Sequence, residues 1–173
     1  MSMIGLGILP FLMYYLYAVV PLAPLVYLFL KWRAYRDGAT DPWLGAAVLL
    51  QYFWTLGLHL ALIGLTLSVS GLIGSKMDGE VKPGLALLFT GVIALLASFF
   101  ALKRLPGSLL RGQSWRVFYA LNLLVCGLLA LIALGAASFT LFTGKPADAR
   151  LPLVALLVFG AAWTWFLRQL VRK

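Results

Sequence analysis

The chain alternates between long apolar runs and short segments that hold nearly all of its charged residues. Each run is long enough for an α-helix, rising about 1.5 Å per residue, to cross a hydrocarbon layer of about 30 Å. The pattern therefore predicts an all-α integral membrane protein, a five-transmembrane-helix bundle forming a single domain over residues 1–173. The predicted spans are residues 10–30, 44–75, 83–102, 117–143 and 152–167.

The second predicted span carries polar residues along one side. At about 100° per residue they fall within roughly one quadrant of a helix, and His59, the only histidine of the chain, lies near the middle of the span. Such a stripe predicts either a pore or ligand-binding surface, or a face that hydrogen-bonds to a neighbouring helix. For His59 a third interpretation is cofactor ligation or a pH-sensing switch. This polar stripe consists of Gln51, Thr55, His59, Thr66 and Ser70.

A different side of the same span carries small residues at spacings of three and four. Small residues at this rhythm let another helix backbone approach closely, so they predict a packing face. Asn122, in the fourth span, is predicted to hydrogen-bond across helices. This small seam consists of Gly57, Ala61, Gly64, Ser68 and Gly71.

The basic residues are distributed unevenly between the two ends of the predicted spans. Ten Lys and Arg follow the odd-numbered spans and four follow the even-numbered ones. The positive-inside rule then predicts an external N-terminus and a cytoplasmic C-terminus, in a bacterial-type cytoplasmic membrane. Because these cations lie where helices end, the net charge of +9 indicates anionic lipid headgroups rather than nucleic acid. The residues predicted to contact headgroups or a partner are Lys103, Arg104, Arg111 and Arg116.

A shift of 69 residues aligns residues 46–104 with 115–173 without a gap. Pro83 then meets Pro152, and Gly91 meets Gly160. These coincidences favour a tandem repeat of one helical hairpin, with the two copies related by an axis along the membrane normal.

The chemistry available inside the predicted spans is narrow. All five Asp and Glu residues lie in loops, so the spans lack the carboxylates that proton-coupled transport commonly uses. One His and one Cys in different spans do not form a metal site within a protomer, and no catalytic set can be assembled around His59.

The sequence therefore predicts a non-enzymatic protein without a cofactor. It would act as a homo-oligomer, or as the membrane subunit of a larger complex, through small-residue helix packing. The alternative is a small channel or carrier whose conduit is lined by the polar stripe.

Overall fold

The computed structural model describes residues 22–36, 41–74, 77–106, 111–143 and 146–172, which are helical and contain no strand. A π-helical turn, Met77–Val81, connects the second helix to the third, and a short 3-10 turn, Pro146–Ala149, precedes the fifth. The helices are α1 (Leu22–Arg36), α2 (Leu44–Ile73), α3 (Lys82–Arg104), α4 (Arg111–Phe142) and α5 (Arg150–Val171).

Four of these helices, α2 to α5, are long and apolar enough to cross a membrane. The prediction of a helical membrane protein is confirmed at this level. The first predicted span, residues 10–30, is described only from residue 22 onward, where α1 contributes 15 residues. Its earlier part, and with it the count of five spans, lies outside the described residues.

The helix ends differ from the predicted spans most at the end of α1, which continues to Arg36, six residues past the predicted end at residue 30, and at the start of α4. The α4 helix begins at Arg111, six residues before the predicted start at residue 117. Hydropathy marks only the apolar part of a helix, whereas backbone hydrogen bonding continues through polar residues at the membrane interface. Ser114, in the segment predicted as a loop, is in fact buried in the first turns of α4.

The α2–α3 hairpin is closed by direct contact between the two backbones. A Cβ atom built on Gly64 would lie 2.6 Å from the carbonyl oxygen of Gly84, and it would also meet the amide nitrogen of Leu88. One built on Gly57 would lie 2.8 Å from the carbonyl oxygen of Gly91. Real side chains do not fit at such distances, so these positions accept only glycine without moving the helices apart.

The remaining members of the small seam face the same neighbour. Gly91 packs on the backbone of Ala61, and a Cβ atom on Gly84 would lie 2.6 Å from the Ser68 hydroxyl. At the far end, a Cβ atom on Gly71 would lie 3.0 Å from the backbone nitrogen of Val81. The structure thus places the whole small seam against α3 and the turn before it, inside the protomer.

The α4–α5 hairpin has similar helix lengths but a different contact. α2 and α3 have 30 and 23 residues, and α4 and α5 have 32 and 22. Gly160 aligns with Gly91 in the predicted repeat, yet among the described residues nothing lies within 4 Å of a Cβ atom built on it. Gly127 instead packs on the Trp163 ring. The tandem repeat stays a prediction.

α2 is the central helix, because it contacts each of the other four. Where α1, α2 and α4 meet, an apolar core forms around Leu30, Val48 and Phe118. The first half of the polar stripe lies next to this core, so its side chains are held in the interior of the bundle.

Candidate functional site

All five residues of the polar stripe are buried within the protomer, with exposed fractions between 0 and 5%. Burial within one chain means that a second copy could not line a shared pore with these side chains unless the helices rearranged. Any conduit or ligand position that uses them lies inside the bundle.

The half of the stripe nearer the start of α2, Gln51, Thr55 and His59, is its inner half, and it meets α4 at Asn122. The Asn122 amide nitrogen donates to the Thr55 hydroxyl at 3.2 Å and to the Phe118 carbonyl oxygen at 2.7 Å. The imidazole of His59 is also within hydrogen-bonding reach of the Asn122 side chain. Thr55, His59 and Asn122 are thereby joined in the middle of the bundle. Gln51 is buried one turn before Thr55 on α2, and we call these four residues the polar centre.

Gln51 is the least satisfied member of the polar centre. It is fully buried, and neither its amide nitrogen nor its amide oxygen has a hydrogen-bond partner in the described part of the chain. The same holds for the side-chain oxygen of Asn122 and the hydroxyl of Tyr52. Buried polar atoms are nearly always paired with protein or water. Gln51 and Asn122 therefore retain hydrogen-bonding capacity that the described residues do not use.

The outer half of the stripe, Thr66 and Ser70, forms hydrogen bonds with other partners than α4. The Thr66 hydroxyl donates to the Leu62 carbonyl oxygen of its own helix at 2.8 Å, and the Ser70 hydroxyl donates to a Glu80 carboxylate oxygen at 3.3 Å. The polar stripe thus divides into an inner part that joins α2 to α4 and an outer part that joins α2 to the turn before α3.

The chemistry of the polar centre is that of amide, hydroxyl and imidazole groups. Within the described ranges, no group of three or more His, Cys, Asp and Glu side chains could hold a metal ion. Cys126, one turn beyond Asn122, is a buried free thiol packed near Phe159 and Phe166. The amide, hydroxyl and imidazole groups of the polar centre can form hydrogen bonds with a neutral polar molecule or with water.

The predicted headgroup contacts are placed only in part. Lys103 and Arg104 are exposed at the end of α3, where the Lys103 ammonium lies 4.4 Å from the centre of the Phe99 ring. Arg116 is exposed on α4. The side chain of Arg111 lies outside the described residues, as does the backbone of residues 107–110.

The structure also shows a cluster of aromatic rings that the sequence reasoning missed. Tyr119 is at its centre, with its ring 6.4 Å from Trp54, 5.3 Å from Trp115 and 6.1 Å from Trp165. Phe166 completes it at 5.9 Å. Trp115 and Trp165 are 50 residues apart along the chain, so local hydropathy does not predict that they meet. α2, α4 and α5 bring these aromatic rings together at the end of the bundle where α3 and α5 end.

A double-mutant cycle tests the link between α2 and α4. Asn122→Leu and Thr55→Val are expected to show a coupling of about 0.6–1 kcal/mol in reversible unfolding from detergent micelles, as found for hydrogen bonds between membrane helices. Asn122→Leu with Thr66→Val is the control pair, because the Thr66 hydroxyl bonds within its own helix. Equal coupling in the two pairs would contradict the assignment.

No protein-family model, curated protein or solved structure matches this chain. Its class comes from its own fold: it is a helical membrane protein, and four helices of its described part are long and apolar enough to cross a bilayer. The polar centre and the exposed apolar faces of these helices are the features from which a function can be argued.

Proposed function

We propose that the protein is a non-enzymatic component of the membrane that works through contacts with other transmembrane segments. It acts as a homo-oligomer or as the membrane subunit of a larger complex. The observation that supports this is the one-sided packing of α3, whose substantial contacts within the described ranges are with α2 and the Met77–Val81 turn. A transmembrane helix held from one side keeps a broad face for another helix.

The small seam cannot supply that contact, because it is already closed against α3. The partner surface is instead the outward face of α3, which carries large apolar side chains at helical spacing. Shape and dispersion, rather than loss of water, hold helices together in lipid, so an uneven face of this kind can be selective. The exposed side chains are Leu85, Phe89, Val92, Ile93, Leu96, Phe99 and Phe100.

The orientation that goes with this proposal has the ends of α3 and α5 in the cytoplasm. α2 and α3 run antiparallel, since Gly57 faces Gly91 and Gly71 faces Val81. α5 ends beside the first half of α2, since Trp165 and Phe166 lie next to Tyr119, whose ring is also 6.4 Å from Trp54. The basic ends of α3 and α5 therefore share one end of the bundle, which the positive-inside rule assigns to the cytoplasmic side of a bacterial-type membrane.

Single-cysteine cross-linking tests the proposed contact. In a Cys126→Ala background, Phe89→Cys on α3 is compared with Phe139→Cys on α4, because the two side chains are 70% and 69% exposed. Membranes treated with a short thiol cross-linker are expected to yield a dimer, or an adduct with one partner, at Phe89 only.

Mass measurement of the wild-type protein in mild detergent is the companion experiment. A monomer with no co-purifying partner, together with no cross-link at Phe89, would contradict the proposal. Equal cross-linking at Phe89 and Phe139 would indicate random collisions.

The second candidate is a small channel or carrier, and the unpartnered amide of Gln51 favours it. A polar substrate or water at the polar centre would supply the missing hydrogen bonds, and polar groups inside a membrane commonly mark a substrate path. The conduit would run through one protomer, past Gln51, Thr55 and His59 and on towards Thr66 and Ser70.

Flux into proteoliposomes separates the two candidates. A conduit predicts measurable flux of a small neutral solute or ion, reduced by at least about tenfold in Gln51→Leu and altered in His59→Ala. Thr164→Val is the control, because this hydroxyl is exposed on α5 and bonds to its own helix. Absence of flux in wild-type vesicles would remove this candidate and leave the assembly proposal untouched.

A further inference from the structure

An apolar groove lies between α2 and α5, apart from the polar centre. Its volume is about 530 Å³, and it opens to the outside of the bundle. Leu58 and Leu62 line it from α2, whereas Ala161 and Ala162 line it from α5. The two alanines leave the space that larger side chains would fill, so the groove results from the choice of residues on α5.

The groove covers about half the thickness of a bilayer. The apolar run of α5 is bounded by Arg150 and Arg168, so its midpoint is Phe159. Groove residues on α5 extend from Leu157 to Phe166, which is about 14 Å at 1.5 Å per residue. Half of a hydrocarbon core of about 30 Å has the same length. On α2 the groove residues extend from Trp54 to Leu65 and so pass the level of His59. The groove is therefore about half as long as a hydrocarbon core is thick, and it ends near Trp165, one helical turn before Arg168.

That end of the groove is aromatic and then cationic. Trp54 and Trp165 line it there. Arg168 follows Trp165 by one helical turn and Arg172 by two, and both are exposed. Trp residues favour the level of the lipid headgroups, and Arg residues at that level attract lipid phosphates.

We propose that this groove binds one acyl chain of a phospholipid whose phosphate is held by Arg168 and Arg172. The apolar lining matches a hydrocarbon chain, and the cations lie where that chain would meet its headgroup. A partner's transmembrane helix fits less well, because such a helix contacts its neighbour across both leaflets, whereas the groove extends over only about 14 Å of α5. The bound lipid is thus a specific ligand, distinct from the lipids that surround any membrane protein.

Native mass spectrometry of the full chain, stripped of lipid and supplied with phosphatidylglycerol in mild detergent, tests the site. One phospholipid per protomer is expected to remain bound to the wild type. Ala161→Phe fills the groove and is expected to weaken this binding about tenfold. Ala97→Phe is the matched control, since Ala97 is an exposed alanine on α3 that does not line the groove. Equal lipid binding by the two variants would overturn the proposal.

The headgroup contact is tested with Arg168→Gln. Loss of one cation near the membrane surface is expected to weaken phosphatidylglycerol binding about fivefold, and dioleoylglycerol, which lacks a phosphate, should bind equally weakly to wild type and variant. Arg168→Gln that binds phosphatidylglycerol as tightly as the wild type would overturn the assignment of the phosphate. A protein partner displaced by Ala161→Phe but not by Ala97→Phe would replace the lipid as the occupant.

Fluorescence quenching tests the lipid site in the wild-type protein, without a substitution in the groove. Tryptophan fluorescence of the wild type is quenched with phosphatidylglycerol brominated on its acyl chains, diluted into phosphatidylcholine. A specific site near Trp54 and Trp165 predicts a component of the quenching that saturates at low mole fraction of the brominated lipid, in addition to a proportional component from the other exposed Trp residues, such as Trp32. Quenching that rises in simple proportion to the mole fraction would indicate surrounding lipid only and would overturn the proposal.

Discussion

Gly64→Ala is expected to destabilise the protein by about 2 kcal/mol although it adds a single methyl group. The new Cβ atom would lie 2.6 Å from the Gly84 carbonyl oxygen and 2.7 Å from the Leu88 Cα atom. Both belong to the α3 backbone, which cannot rotate away as a flexible side chain could. The two helices would have to separate, and the contacts along the whole small seam would weaken with them.

Gly135→Ala is the matched control for this prediction. Gly135 is also inside a membrane helix, but nothing in the described part of the chain lies within 4 Å of a Cβ atom built on it. Alanine is the better helix former, so this change should leave stability unchanged or raise it by up to about 1 kcal/mol. Reversible unfolding in mixed detergent micelles measures both variants, and equal losses would show that the α2–α3 contact is looser than described.

Phe118→Ala is expected to cost about 2 kcal/mol. Phe118 is 1% exposed at the junction of α1, α2 and α4. When the helices pack within lipid, the Phe118 ring moves from one apolar environment to another, so the hydrophobic effect contributes little. The loss of stability in Phe118→Ala therefore comes mainly from the lost dispersion contacts of a close-packed interior and from the cavity left behind. The figure is therefore lower than for a buried Phe in a water-soluble protein.

Phe139→Ala provides the comparison on the same helix. Its ring is 69% exposed, facing lipid in the monomer, so its removal should change stability by less than about 0.5 kcal/mol. The same unfolding measurement applies. A large loss at Phe139 in membranes, absent in the dispersed monomer, would instead reveal a partner on that face of α4.

The position of the small seam inside the protomer determines how substitutions in it should affect function. Small residues on a membrane helix are often assigned to contacts between protomers. Here Gly57 and Gly64 face the next helix of their own chain, and Gly71 faces the turn that precedes it. Assembly with other segments would therefore use the large apolar side chains on the outward face of α3, and substitutions in the small seam should disturb folding before they disturb assembly.

The polar stripe illustrates how far helical periodicity reaches. Spacing alone places Gln51, His59 and Ser70 on one side of α2, and the structure buries all three. Spacing does not say what lies opposite. The α4 helix brings Asn122 to the inner half, and the turn before α3 brings Glu80 to Ser70. One continuous stripe in the sequence thus becomes two sites of different character.

Hydropathy predicted the four described spans because the free energy of placing a residue in lipid is largely a property of that residue. Close approach at Gly64 was also readable as a small-residue pattern, since it depends on side-chain size. The start of α4 was missed because Arg111–Arg116 is polar, and local hydropathy does not register hydrogen bonding that continues past the apolar core.

Lipid solubility, helix type and the amphipathic faces of α2 therefore follow from the sequence, since each depends on residues a few positions apart. Pairing is a different matter. Three features depend on contacts between distant segments. The small seam faces α3 rather than another copy, and Asn122 meets Thr55. Trp54, Tyr119 and Trp165 come together at the end of one groove. Many pairings of apolar helices are equally compatible with a lipid solvent, and only close packing selects among them.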